Sequence, residues 1–301
     1  MRTSVVLSPE ERADLIASYP NTEKWIRPFL GSEEFINSVE RFCLWLKDVD
    51  PAELRKCPPV LERIEKCREE RLKSVDANTR RWAAFPSLFQ ADRQPDTDYL
   101  VVPKVSSERR RYVPLGFMPP TFITNPSILV VPNATLYHLG VLSAAMHMAW
   151  MRQVCGRMKS DYQYSNTIVY NNFPWPSPTA EQRERVEEKA RAVLAAREPH
   201  LPPRGLGTLA DLYDPLSMPP TLAKAHAELD RAVEKCYRPD PFDSDRQRVE
   251  FLFALYEKLT APLLPVTPGT RNRRSQTTDT TLRPRKQRTP ALPGQNPPIK
   301  T

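Results

Sequence analysis

The sequence predicts an α+β protein, with a small mixed sheet packed on a buried helix, followed by a helical bundle and a disordered basic tail. Three observations carry that prediction. Short β-rich runs recur between Tyr99 and Pro132, bounded by proline, asparagine and serine. Leu136–Met151 is apolar nearly all round, the pattern of a helix buried on every side. Beyond Pro176 the composition turns to Glu, Arg and Ala at helical spacing. A chain of 301 residues holds one large or two modest domains. It divides into a mostly helical connecting segment at 1–98, the sheet-and-helix unit at 99–176, a helical domain at 177–264 and the tail at 265–301.

In order along the chain, Ser8-Pro9-Glu10-Glu11 supplies an N-cap, a proline at the first helical position and acids in the first turn, so a helix runs to about Ser18. Residues 25–46, from Trp25 through Phe35-Ile36 to Leu44-Trp45-Leu46, read as strand. Asp50-Pro51 caps the next helix, which Leu54, Val60, Leu61, Ile64 and Leu72 carry through a charged, solvated face. Tyr99–Pro103, Tyr112–Leu115, Thr121–Thr124 and Ile128–Pro132 are the β-runs. The apolar helix then covers 136–157 and a last strand covers Thr167–Tyr170. Thr179–Arg197, Pro219–Cys236 and Ser244–Leu259 are the helices of the C-terminal bundle, joined by proline-rich loops.

The net charge of +8 is unevenly placed. Eight basic residues against Asp279 put +7 of it after Leu264, so the rest of the chain is nearly neutral. Within that rest, 99–175 carries seven basic residues and two acids, while the flanking segments are each slightly acidic. A polyanion would therefore meet the middle third. The Pro, Thr, Arg and Gln of the tail cannot offset the entropy of ordering. No apolar run reaches the ~18 residues of a membrane span, and the N-terminus has no signal-peptide core, so the expected location is the cytoplasm, with no membrane partner.

Eight glycines against 33 prolines leave little for a phosphate-binding loop. Gly205-Leu206-Gly207 follows Pro202-Pro203 rather than a strand and reads as a turn leading into a helix. The five cysteines, 43, 57, 67, 155 and 236, form no C-x-x-C pair, which argues against zinc and a disulfide framework. His138 and His147, nine apart in the apolar helix, read as buried, hydrogen-bonded histidines. Neither a nucleophile elbow nor a P-loop is present. No residue is assigned to catalysis, to cofactor binding or to a metal.

What remains is a polar, basic belt on a rigid frame. Lys104, Arg109 and Arg111 occupy one loop, with Ser106, Ser107 and Arg110. Arg152, Arg157, Lys159, Asp161, Tyr162, Ser165, Asn166, Asn171 and Asn172 follow the apolar helix. Cations at loop edges neutralise phosphates, and polar side chains held by a strand can read base edges, so the belt suits duplex DNA. Lys104, Arg109 and Arg111 are expected mainly at phosphates, and Arg157 and Lys159 at bases. On composition alone the same residues equally fit solvated loops satisfying their own backbone, with Arg157 and Lys159 capping the helix end.

Four blocks carry a resemblance: WIRPFLGSEEFINSVERFCLW at 25–45, YLVVPKVSSERRRYVPLGFM at 99–118, HLGVLSAAMHMAWMRQVCGRMKSDYQYSNTIVYNNFPWP at 138–176 and YDPLSMPPTLAKAHA at 213–227. In this order they resemble the C-terminal part of MmeI-like adenine-specific DNA methyltransferases and restriction-modification enzymes, over about residues 10–260. The resemblance implies a target recognition domain followed by a C-terminal helical domain, duplex DNA as partner, and S-adenosylmethionine as methyl donor in a catalytic half. That half needs a glycine-bearing strand-to-helix turn and an Asn/Asp-Pro-Pro-aromatic motif. Asn125-Pro126-Ser127-Ile128 and Asn296-Pro297-Pro298-Ile299 do not match the motif. The expectation is a specificity module whose catalytic domain comes from a separate chain. An inactive structural fragment and a complete methyltransferase with unrecognised motifs are the alternatives.

Overall fold

A strand, β1 (Val6–Leu7), leads into α1 (Pro9–Ser18), where Ser8 and Glu11 close a capping box: Glu11 N donates to Ser8 Oγ at 3.1 Å and Ser8 N to Glu11 Oε2 at 2.8 Å. The computed structural model describes residues 4–90 and 94–261; the tail expected at 265–301 lies outside the described residues. The segment that reads as one strand at 25–46 is instead β2 (Ile26–Leu30), α2 (Ser32–Asn37) and β3 (Phe42–Leu44). Its apolar pair Phe35-Ile36 suits a strand or a buried helical turn equally. The turn wins because Glu34, also buried, pairs with Arg41 at 2.9 Å, and Ser38 ends it in the left-handed region. The helix expected from Asp50 divides at Cys57 into α3 (Pro51–Leu54) and α4 (Pro58–Leu72), because Pro58-Pro59 can only start a helix; α5 (Ala77–Arg81) follows. Leu7, Leu15, Trp25, Leu44, Val60 and Cys67 form a core of their own beneath these elements.

Next come β4 (Tyr99–Pro103), β5 (Val105–Ser106), β6 (Gly116–Met118), β7 (Ile123–Thr124) and β8 (Ile128–Pro132). Antiparallel β6-β4-β8 is the central sheet; every residue of β4 and β8 is buried, as their unbroken Val/Leu runs require. Tyr112–Leu115 reads as strand but is a buried loop without ladder partners. β7 pairs in parallel with β2, Phe29 opposite Ile123, so the first sheet (β1-β3-β2-β7) spans Tyr99, where the sequence suggests a boundary. Ser32 reinforces the joint through its backbone N–H to Ser127 Oγ at 2.8 Å.

The helix expected at 136–157 is broken into α6 (Leu136–Ser143) and α7 (Ala145–Val154) by an extended Ala144. A carboxylate from far along the chain, Asp230, takes the freed Ala145 N–H at 2.7 Å, which makes the break affordable. The helix stops at Val154, and Arg157 falls in a hairpin of β9 (Gly156–Met158) and β10 (Asp161–Gln163). Strand β10 lies between β5 and β9 in a third sheet. Thr167–Tyr170 forms a π-helical turn (Asn166–Tyr170) rather than a strand. Trp150 Nε1 donates to Val169 O at 3.0 Å, and Asn172 Nδ2 donates to the Thr167 and Ile168 carbonyls.

The C-terminal helices are α8 (Ala180–Arg197), α9 (Leu209–Leu212), α10 (Pro220–Glu234) and α11 (Asp245–Thr260). Thr179 and Gln182 cap α8 reciprocally, and Thr208 and Asp211 cap α9. Helix α8 crosses α6 at Gly140, where a Cβ would stand 2.7 Å from Val186 Cγ1. One continuous core runs from Leu30 through the central sheet and α6–α7 into Leu252 of the bundle.

Candidate nucleic-acid interface

The third sheet decides which belt residues face outward. In β10, Tyr162 lies opposite both Ser106 and Arg157, whereas Asp161 lies opposite Met158, and Gln163 opposite Gly156 and Val105. Side chains alternate across a strand, so Ser106, Arg157 and Tyr162 share one face and Val105, Met158, Asp161 and Gln163 the other. Ser106 and Tyr162 are buried, Tyr162 being 7% exposed, so theirs is the core face. Met158 is 50% exposed and Gln163 is exposed on the other. Gly156 adds no side chain there; a Cβ on it would lie 3.5 Å from Gln163 Oε1. Lys159 sits at the tip with φ of 57°, exposed.

Arg157 therefore braces the hairpin. Its guanidinium stands 4.1 Å over the Tyr162 ring, donates to Ser160 O at 3.0 Å and pairs with Glu108 at 3.6 Å. Glu108 belongs to the basic loop after β5, so this pair ties loop to hairpin. Arg109 and Arg111 are exposed on the same loop, 3.8 Å from Asp214 and 4.0 Å from Asp230. Arg152, on the last turn of α7, donates to Asp245 at 3.1 Å and to the Arg111 carbonyl. Lys104 is pinned between sheets by its backbone, its N–H donating to Ser127 O at 2.9 Å and its carbonyl accepting from Tyr164 N at 2.7 Å.

The remaining candidates do different work. Ser165 shares a 2.9 Å hydrogen bond with Thr167, and the Asn171 N–H closes on the Asn166 carbonyl at 2.8 Å. With Asn172 these residues hold the π turn together, presenting Ile168 half exposed. The sequence does not single out Gln163, whose outward direction depends on the pairing of β10 with β5; it gives Arg110 in the belt but no role. Burial pulls the Arg110 guanidinium below its ordinary range, opposed by the charges of Asp161 and Asp214.

The buried histidines are structural. His138 Nδ1 accepts from Thr135 N at 2.9 Å and His147 Nε2 shares a 2.9 Å bond with Tyr164; burial lowers their pKa values to about 4 and about 3. No group of three or more potential metal ligands occurs among the described residues. The two motifs nearest to methyl-donor signatures are both occupied by local structure. Asn125 Oδ1 is spent on Ser127 N and Oγ, and Gly205 packs so closely on the His200 backbone that a Cβ would stand 2.4 Å from it. A cavity of about 1170 Å³ lies against Val5, Phe29, Trp45 and Phe89 and is lined by none of the belt residues.

The mixed-sheet unit thus presents a polar hairpin beside a basic loop and is backed by a helical bundle. The family model for the MmeI target recognition domain matches residues 2–177, and that for the MmeI C-terminal domain matches 178–264. The chain belongs to the MmeI family. The segment before Tyr99 thus falls inside the recognition-domain match, in keeping with the β2–β7 pairing. The chain is 40% identical over 251 residues to DNA methyltransferase A of Bacillus subtilis (strain 168), an alignment covering 83% of this chain and 28% of that protein. It also superimposes on the structure of the Type IIL restriction-modification enzyme MmeI in complex with DNA, at a TM-score of 0.82 and 42% identity, covering 86% of this chain and 34% of the other. The chain therefore spans about a third or less of the relatives it matches. No described helix is long and apolar enough to cross a membrane.

Proposed function

We propose that this chain is the DNA sequence-recognition module of an S-adenosylmethionine-dependent, adenine-specific DNA methyltransferase, working in the cytoplasm with a catalytic domain supplied by a separate chain. The observation that carries the reading is the third sheet, whose outward face offers Asp161 and Gln163 beside Lys159, while its core face and the Arg157–Glu108 pair hold that face rigid. Rigid support is what base readout requires. Lys104, Arg109 and Arg111 are suited to phosphates, Lys159, Asp161 and Gln163 to base edges, and Arg152, Arg157, Tyr162, Ser165, Asn166, Asn171 and Asn172 to positioning the surface. The structural relative is an enzyme in complex with DNA, and the sequence relative is by name a DNA methyltransferase, which supports duplex DNA as partner and methyl transfer as the reaction served.

The test is titration of a mixed-sequence 30-base-pair duplex with the full chain at several salt concentrations. Binding should weaken linearly on a log–log scale as several phosphate contacts are screened. Absence of binding at low salt, or affinity indifferent to salt, contradicts the reading.

A further inference from the structure

We infer that Asp230, on the C-terminal helix α10, is the positioning residue that fixes the basic loop and the hairpin relative to one another, so that the helical lobe acts as the frame of the recognition surface. The inference rests on the proposed reading of that surface as the DNA-contacting one. It begins with one carboxylate, 6% exposed, serving two elements. Oδ2 accepts the Tyr112 hydroxyl at 2.6 Å, and Tyr112 directly follows Arg109-Arg110-Arg111. Oδ1 accepts the Ala145 N–H at 2.7 Å, and Ala145 begins the helix whose far end feeds the hairpin. Arg111 Nη2 lies 4.0 Å from the same carboxylate.

The surroundings point the same way. Tyr112 is clamped from behind by His226, one helical turn before Asp230, with the rings stacked at 4.1 Å. His226 is itself held by the Tyr213 hydroxyl at 2.9 Å. Arg197 of α8 donates to the carbonyl of Leu115, where the loop rejoins the central sheet. Asp214 faces Arg109, and Asp245 holds Arg152, whose other nitrogen reaches the Arg111 carbonyl. The loop is thus gripped at 109, 111, 112 and 115 by residues 197–245, and α7 is gripped at both ends by the same lobe. Burying a carboxylate is costly unless its oxygens are satisfied, and here each has a donor from a different element. Loss of it frees both elements at once.

Hydrogen exchange on the full chain, followed by mass spectrometry, tests this with Asp230→Ala, Asp230→Asn and Tyr112→Phe. Asp230→Ala should speed exchange at least tenfold in both 105–115 and 156–163 and leave 4–72 unchanged. Asp230→Asn, which can still accept from Ala145 and pair with Tyr112, should change either segment less than threefold. Tyr112→Phe should loosen 105–115 alone. Selection from a duplex library with a randomised centre supplies the functional arm: Asp230→Ala should keep general affinity within threefold and lose the sequence preference that Asp230→Asn retains. Exchange unchanged in either segment, or accelerated evenly along the chain by both Asp230 variants, overturns the inference. A wild-type chain that selects no sequence overturns the recognition reading instead, and the exchange result still decides whether Asp230 is the frame.

Discussion

The Arg157 guanidinium lies 4.1 Å over the Tyr162 ring, on the face of the hairpin opposite Asp161. The arginine that the sequence offers as a base reader is thus held within the hairpin, and the proposed reading leaves base contacts to its outward neighbours. Arg157→Ala is therefore expected to blur preference across the whole selected site, whereas Asp161→Ala or Lys159→Ala relaxes preference at one base pair by ~1–3 kcal/mol. Affinities measured across single-base variants of the selected site check this; a position-specific loss for Arg157→Ala would return that residue to the readers.

On the proposed reading, Lys104 and Arg109 meet phosphates. Lys104→Ala or Arg109→Ala should lower affinity uniformly across sequences and reduce the magnitude of the salt slope by about one phosphate each. Arg109 now faces Asp214, so Asp214→Asn is expected to strengthen non-specific binding slightly by releasing it. Titrations at four or more salt concentrations give both slopes.

His147 is buried and its pKa is lowered to about 3 by burial, so it stays neutral in the folded chain where the unfolded chain protonates it near pH 6.5. The unfolded state then binds more protons, and stability falls as pH drops below that value, by about 1.4 kcal/mol per pH unit. Replacement by Phe removes that contribution. Wild type should exceed His147→Phe in unfolding free energy at pH 7, and the difference should narrow between pH 6.5 and 4.5 in denaturant titrations. A constant difference would show that His147 does not carry the linkage.

Gly140 lets α6 approach α8 closely enough that a Cβ would overlap Val186. Gly140→Ala should cost about 1–3 kcal/mol through overpacking, despite the better helix propensity of alanine. Val186→Ala in the same chain should recover part of the loss, which thermal unfolding of the single and double variants would show.

The elements whose causes are local are legible in the sequence. Ser8 with Glu11, Thr179 with Gln182, and the unbroken apolar runs of β4 and β8 specify their own structure. The differences at the core helix and at the hairpin have another cause, which is partners distant in sequence. A single helix at 136–157 is the natural reading of its composition, and it is broken where Asp230, 85 positions away, takes a backbone N–H. The strand expected at 167–170 is instead a π turn, whose Val169 carbonyl is taken by Trp150 from the preceding helix. At the candidate interface the sequence locates two polar segments beside a sheet. It does not reveal their facing, since the parity of the hairpin comes from the pairing of Tyr162 with Ser106, 56 positions earlier. Hence the sequence does not mark Gln163 as outward, and it offers Tyr162, which the fold buries, as a candidate.

The most direct test of the central claim is selection of duplexes from a randomised library by the full chain, repeated with Lys159→Ala and Asp161→Ala. The account predicts one enriched sequence for the wild type and the same sequence relaxed at a single position in each variant, with general affinity retained. No enrichment by the wild type, or an enriched sequence identical in all three proteins, would contradict it.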